Sequence, residues 1–176
     1  DSRAKHTYIN FENRSNYLFN SSIEGIEESD LILLIGTNPR FEATVLNSRI
    51  RKTYLKNKTE IFSLEDVGNL TYPYKVLENN SKVIDKIIKN EHNLSNKIAS
   101  AEKPIIILGQ SILNSNNGAY IFEELKRYLT SINKIDDNWN ALNILSTDAS
   151  AVGSYDLGIF SSNDGSNNTL KKIENG

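Results

Sequence analysis

The chain has 176 residues, 38% hydrophobic and 24% charged, with a net charge of -2, a pI near 5.8 and a mean hydropathy of -0.45. This length suits one domain with a sizeable core, and the charge gives no electrostatic reason to expect nucleic acid or an anionic membrane surface as a partner. The absence of cysteine excludes disulfides, thiol catalysis and any cysteine-ligated iron–sulfur cluster held by this chain.

The abundant Asn, Ile, Lys and Tyr are consistent with an AT-rich coding sequence. There is no methionine, even at position 1, so a processed or partial product is expected. Residues 1–13 show no periodicity, carry no hydrophobic signal segment and read as an irregular lead-in. A short helix over 23–28 is expected after a serine cap at Ser21 or Ser22, with acids in its first turns. Residues 31–35, Leu-Ile-Leu-Leu-Ile, form an apolar run too short for a membrane span and suited to a strand covered on both faces.

A sharp turn at Gly36-Thr37-Asn38-Pro39 leads into a helix over 41–57. Leu46, Ile50 and Tyr54 share one side of it, while Phe41, Val45 and Leu55 gather nearly opposite, so cover on two sides is expected. Arg49, Lys52 and Lys56 make a third, basic stripe toward the carboxyl end. That stripe reads first as a solvated face, then as an ionic contact with a neighbouring subunit, and last as a phosphate site.

Residues 59–64 are a second strand candidate, followed by an irregular run over 65–74 where Gly68 and Pro73 forbid a long regular element. Ser81 is placed to cap a helix with Val83, Ile84, Ile87 and Ile88 on its apolar face. Asn93 restarts a helical turn carrying Leu94, Ile98 and Ala101, and Pro104 stops it. Residues 105–109 then repeat the pattern of 31–36, an apolar run ending in glycine, and a helix follows over 119–132. Two strand–glycine–loop–helix units imply neighbouring or near-neighbouring parallel strands with right-handed crossovers, hence an α/β, open Rossmann-like parallel sheet flanked by helices. Trp139, Leu142 and Leu145 are expected to pack a further short helix. The domain is taken to span 1–160, with 161–176 a polar tail or linker.

No catalytic constellation emerges. His6 and His92 are far apart and lack metal or catalytic spacing, so surface or capping roles are expected. Glu27, Glu28 and Asp30, and Glu123 with Glu124, read as solvated charge. Asp136 and Asp137 precede Trp139 as a cap, without a third oxygen at calcium-ligand spacing. The Gly36-to-Pro39 turn could cradle a phosphate at a helix start, yet it matches neither dinucleotide nor Walker spacing, and Pro39 removes a donor.

The words Gly36-Thr37-Asn38-Pro39-Arg40-Phe41-Glu42-Ala43 and Val45-Leu46-Asn47-Ser48-Arg49-Ile50-Arg51-Lys52 carry a more specific signal. With them go Arg14-Ser15-Asn16-Tyr17-Leu18, Lys103-Pro104 with Leu108-Gly109, Asn117-Gly118-Ala119, Trp139 with Asn143-Ile144-Leu145, and Asp156-Leu157-Gly158. On these residues the chain resembles the large iron–sulfur subunits (75-kDa or G-type) of respiratory complex I, in their carboxy-terminal molybdopterin-oxidoreductase-like region. Thr44 departs from the family, which usually has proline there.

The resemblance implies a non-catalytic structural part of the peripheral arm of an NADH:ubiquinone oxidoreductase that couples electron transfer to proton translocation. It implies that FMN and the iron–sulfur clusters lie elsewhere in the complex, and that the partners are other peripheral-arm subunits and the cluster-bearing amino-terminal part of the same subunit. No direct membrane insertion is expected. The implied place is the matrix side of the mitochondrial inner membrane, or the cytoplasmic side of a bacterial membrane, with composition favouring a mitochondrion.

In catalytic molybdopterin enzymes the similar loop helps line the cofactor site, whereas the complex I branch keeps the fold without it. Gly36, Thr37, Asn38, Pro39 and Arg40 are therefore expected to form a structural turn that binds no cofactor or metal, with Arg40 and Glu42 holding the loop, or a neighbour, by charge-assisted bonds. The other reading is a fragment of a free-standing molybdopterin-dependent oxidoreductase. A thiamine-diphosphate enzyme's central domain has little room beside so long a literal match.

Overall fold

Strand β1, Leu31–Ile35, is buried at every residue and forms the centre of the sheet. Successive side chains of a strand point to opposite faces, so Leu31, Leu33 and Ile35 enter one apolar core while Ile32 and Leu34 enter the other. The computed structural model describes residue 10, residues 13–78 and residues 82–157. Ser81, His6, most of the lead-in and the 161–176 tail lie outside them.

Ahead of β1, helix α1, Ser22–Gly25, passes into a 3-10 turn, Ile26–Glu28, where a single helix over 23–28 was expected. Ser22 supplies the cap, its Oγ accepting from Gly25 N at 3.0 Å. After β1 come α2, Pro39–Glu42, and α3, Thr44–Asn57. The expected continuous helix is broken at Ala43, whose backbone leaves the helical region at φ -151° and ψ 74°. Ala43 N donates to Pro39 O and Ala43 O accepts from Asn47 N, so one residue closes α2 and opens α3. Thr44 takes the first position of α3, a position proline favours, and the helix starts there with threonine all the same.

Strand β2, Glu60–Ser63, pairs in parallel with β1, and a two-residue edge strand β3, Lys75–Val76, pairs with β2 after the irregular run. Helices α4, Lys82–Ile88, and α5, Asn93–Ser100, lead to β4, Pro104–Gly109, which lies beside β1 in parallel register from Leu31↔Pro104 to Ile35↔Leu108. Pro104 thus opens a strand, and α5 has already ended at Ala101. Short α6, Gln110–Leu113, and long α7, Gly118–Ser131, follow.

Residues 142–145 overturn one expectation, since they form strand β5, Leu142–Leu145, parallel to β4, where a helix was read. Asn143 is fully buried yet satisfied: its Oδ1 accepts from Ser21 N at 2.8 Å, and its Nδ2 donates to Ser21 Oγ at 2.9 Å and Ala141 O at 3.0 Å. A buried polar side chain with this many partners is compatible with an interior strand. Helix α8, Ala151–Asp156, ends the described chain.

The sheet order is β3-β2-β1-β4-β5, all parallel, as expected of an open Rossmann-like α/β fold. Helices α4, α5 and α7 cover one face through Val83, Ile84, Ile98, Phe122, Leu125 and their neighbours. The other face is covered by Ile26, by Leu46 and Ile50 of α3, and by Leu70 and Tyr72 of the irregular run. The second side of the expected helix is bare, contrary to expectation: Phe41, in α2, is 81% exposed, and Val45 and Leu55 of α3 are 67% and 56% exposed.

Candidate functional site

Strand order reverses between β1 and β4, and open α/β sheets take ligands at the carboxyl ends of strands at such a point. Here the two loops press against one another. A Cβ on Gly109 would lie 2.1 Å from Gly36 O, and one on Gly36, itself at φ +61°, would meet Ile112 Cβ and Ser111 Oγ at 2.7 Å. Ser111 Oγ donates to Gly36 O at 2.6 Å. Both glycines are required by this close approach, and their backbones occupy the space between the strand ends.

The groups of the first loop are committed to each other. Thr37 Oγ1 donates to Glu42 Oε2 at 2.7 Å, and Asn38 N donates to Glu42 Oε1 at 3.0 Å. Asn38 Oδ1 accepts from Arg40 N, so α2 carries a reciprocal cap resembling a capping box with the acid one residue later. Asn38 Nδ2 donates to Val67 O at 2.9 Å and Arg40 Nη1 to Asn69 O at 2.5 Å, tying the loop to the irregular run after β2. A carboxylate therefore sits on the helix-start N–H that a phosphate would use, and Pro39 offers none. Arg40 and Glu42 thus bond within this loop and to the run after β2.

Several acids expected to be solvated are paired. Glu27 binds Lys52 Nζ at 2.8 Å and Arg49, and these two cations hold its carboxyl below the usual range, Lys52 foremost. The basic stripe of α3 is thus partly consumed within the chain. Glu28 pairs with Lys103, and the Asp30 carboxylate accepts from Glu102 N at 2.6 Å and Lys103 N at 3.1 Å, fastening the entry of β4 to the start of β1. Glu124 pairs with Arg127, while Glu123 is exposed.

Asp136 Oδ1 accepts from Asn138 N and Trp139 N, capping a turn instead of a helix, and Trp139 Nε1 donates to Pro104 O at 3.0 Å. His92 caps α5, its Nδ1 accepting from Leu94 N at 3.1 Å. Among the described residues no three metal-ligating side chains cluster, and no helix is long and apolar enough to cross a membrane.

Two arrangements escaped sequence reasoning. Arg14 grips Asp156 with two bonds of 2.8 Å, and Tyr17 Oη donates to the same carboxylate at 2.9 Å, which holds Asp156 down at about 2. Arg14 and Asp156 stand 142 positions apart, so no local pattern predicts the pair. The second is a groove of about 750 Å³ between α3 and the 69–71 turn, lined by Arg40, Arg51, Lys52 and Lys56 with Leu55 in its wall. Its basic residues were visible in the sequence, but its wall was not.

This parallel sheet with its Gly36-to-Arg40 loop defines a molybdopterin-oxidoreductase-like α/β unit. The molybdopterin oxidoreductase family profile matches residues 1–175, and the chain belongs to that family. Among curated proteins it is similar to the NADH-ubiquinone oxidoreductase 75 kDa subunit of Reclinomonas americana, 40% identical over 92% of this chain and 23% of that protein. It is also similar to the mitochondrial 78 kDa subunit of Candida albicans, 39% identical over 84% of this chain and 20% of the relative. The G-type subunit of the NADH-quinone oxidoreductase of Rickettsia bellii is 36% identical over 85% of this chain and 22% of its own length. The resemblance drawn from residues 36–52 is therefore upheld, and the chain spans about a fifth of the length of these relatives.

Proposed function

We propose that this chain is a non-catalytic, structural segment of the peripheral arm of a respiratory NADH:ubiquinone oxidoreductase, supporting electron transfer from NADH to quinone and the coupled proton translocation without holding a redox group. The observation that carries this is the 36–40% identity to the 75 kDa, 78 kDa and G-type subunits over most of the chain. The site geometry supports it, because Gly36 and Gly109 fill the switch-point crevice and Glu42 takes the anion-favouring donor. With no cysteine in the chain, iron–sulfur clusters belong to the rest of the complex, and FMN is likewise placed elsewhere in the complex by the resemblance. The partners are other peripheral-arm subunits and the cluster-bearing part of the same subunit, at the matrix side of the mitochondrial inner membrane or its bacterial equivalent.

Native electrophoresis of solubilised membranes tests this reading. The chain should co-migrate with NADH dehydrogenase activity, in an assembly with FMN and iron but without molybdenum or pterin. A chain that purifies apart from that activity with stoichiometric molybdenum and pterin would establish the free-standing molybdopterin enzyme instead.

A further inference from the structure

Helix α3 presents one outward stripe, Thr44, Ser48, Arg51 and Leu55, at the three- and four-residue spacing of a single helix face. Arg40 of α2 flanks one end and Lys56 the other. From Thr44 to Lys56 the stripe runs roughly 18 Å at 1.5 Å per residue. Its far wall is the 69–71 turn, where Thr71, a β-branched residue, is held at φ +73°. That conformation is unfavourable for such a side chain and persists because the turn is pinned. Asn47 Nδ2 donates to Leu70 O at 3.0 Å, Tyr72 Oη to Asn47 Oδ1 at 2.9 Å, and Arg40 to Asn69 O.

The groove's charge is one-sided. No acidic side chain among the described residues lines it, on a chain whose overall net charge is -2. Lys52 is engaged by Glu27, but Arg51 and Lys56 have no ionic partner among the described residues, and Arg40 spends only one of its guanidinium nitrogens on Asn69. An isolated phosphate would use one end of such a groove. An extended acidic segment would use its whole length, and the exposed Leu55 in the wall, with Val45 and Phe41 beyond it, suits the mixed apolar and arginine character of a protein interface.

We infer that this groove docks a carboxylate-rich polypeptide segment of the surrounding assembly, with Arg40, Arg51 and Lys56 meeting its acids and Leu55 its apolar side. This rests on the reading of the chain as part of a larger complex.

The test uses the intact assembly. A zero-length carbodiimide, which joins amines to carboxylates, should link Lys56 to an Asp or Glu outside this chain, identified by peptide mass spectrometry. The double variant Arg51→Glu, Lys56→Glu should lower the assembled fraction roughly tenfold through like-charge repulsion, and Lys89→Glu, on the opposite face of the sheet, should leave it unchanged. Arg51→Gln with Lys56→Gln, which keeps the helix and removes only charge, should give a smaller loss relative to wild type that shrinks with added salt, because screening weakens the same attraction in the wild type.

The inference is overturned if the wild-type chain co-migrates with NADH dehydrogenase while Lys56 forms no such link, or if the double charge reversal assembles normally. It is equally overturned if inorganic phosphate or anionic vesicles shield Lys56 from acylation and no protein link forms. A wild-type chain absent from the assembly refutes the broader functional reading instead, so the two failures are distinguishable.

Discussion

The two faces of the sheet are finished to different degrees. On one, α4, α5 and α7 seal Leu31, Leu33, Ile106 and Leu108 under amphipathic helices whose apolar residues are almost all buried. On the other, Leu46 and Ile50 cover Ile32, Leu34, Ile105 and Ile107, while the outer side of the same helix leaves Val45 and Leu55 in solvent beside the cations of the groove. A helix with apolar residues on two sides has one side for its own sheet and another for something further out. Both sheet faces are buried, and it is the outer side of α3 that is left for a partner to cover.

Substitutions can break or sharpen this contrast. The largest effect is expected from Leu33→Asp, which places an unpaired carboxylate under the sealed face and should lower unfolding stability by about 4 kcal/mol or more, read by chemical denaturation of the protein. Gly109→Ala comes next, because the new methyl meets backbone at Gly36 O and not a flexible side chain. A loss of about 3 kcal/mol is expected, measured in the same way. Arg40→Ala should cost about 1.5 kcal/mol by removing a charge-assisted bond to Asn69 O, and should lower the amount of assembled complex while leaving turnover per assembled complex unchanged. Slow electron transfer in a normally assembled Arg40→Ala variant would place the loop in the chemistry.

The Arg14, Tyr17 and Asp156 clasp predicts a smaller, pH-dependent effect. Asp156 titrates lower in the fold, at about 2, than its ordinary 3.8, so its contribution is complete above the ordinary value and is lost as pH falls from about 3.8 through 2. Near-ultraviolet circular dichroism should report loosening of the edge-to-face Tyr17–Tyr155 pair over that window, and Asp156→Asn should abolish the acid step. The smallest effect belongs to Phe41→Ser, which removes an 81% exposed ring and should change stability by less than about 0.5 kcal/mol, checked by thermal unfolding. A large loss there would mean that α2 is covered within the chain.

The parallel sheet and the neighbouring or near-neighbouring places of 31–35 and 105–108 were legible before any fold was known, because each is written in contiguous residues: an apolar run, a glycine that only a tight turn needs, then helical periodicity. The family was legible only as a resemblance, carried by the literal run of residues over 36–52. The two apolar sides of α3 were legible in the same way. That the second of those sides is bare emerged only from the packed molecule. Packing also made 142–145 a strand, since Asn143 is tolerable inside only once Ser21, far away in the chain, is brought to its amide. It paired Arg14 with Asp156, and it turned a row of cations into a groove by placing the 69–71 turn across from them. Local pattern fixes which way a side chain points along its own element, whereas its partners come from segments tens of residues away, whose approach depends on the packing of the whole sheet.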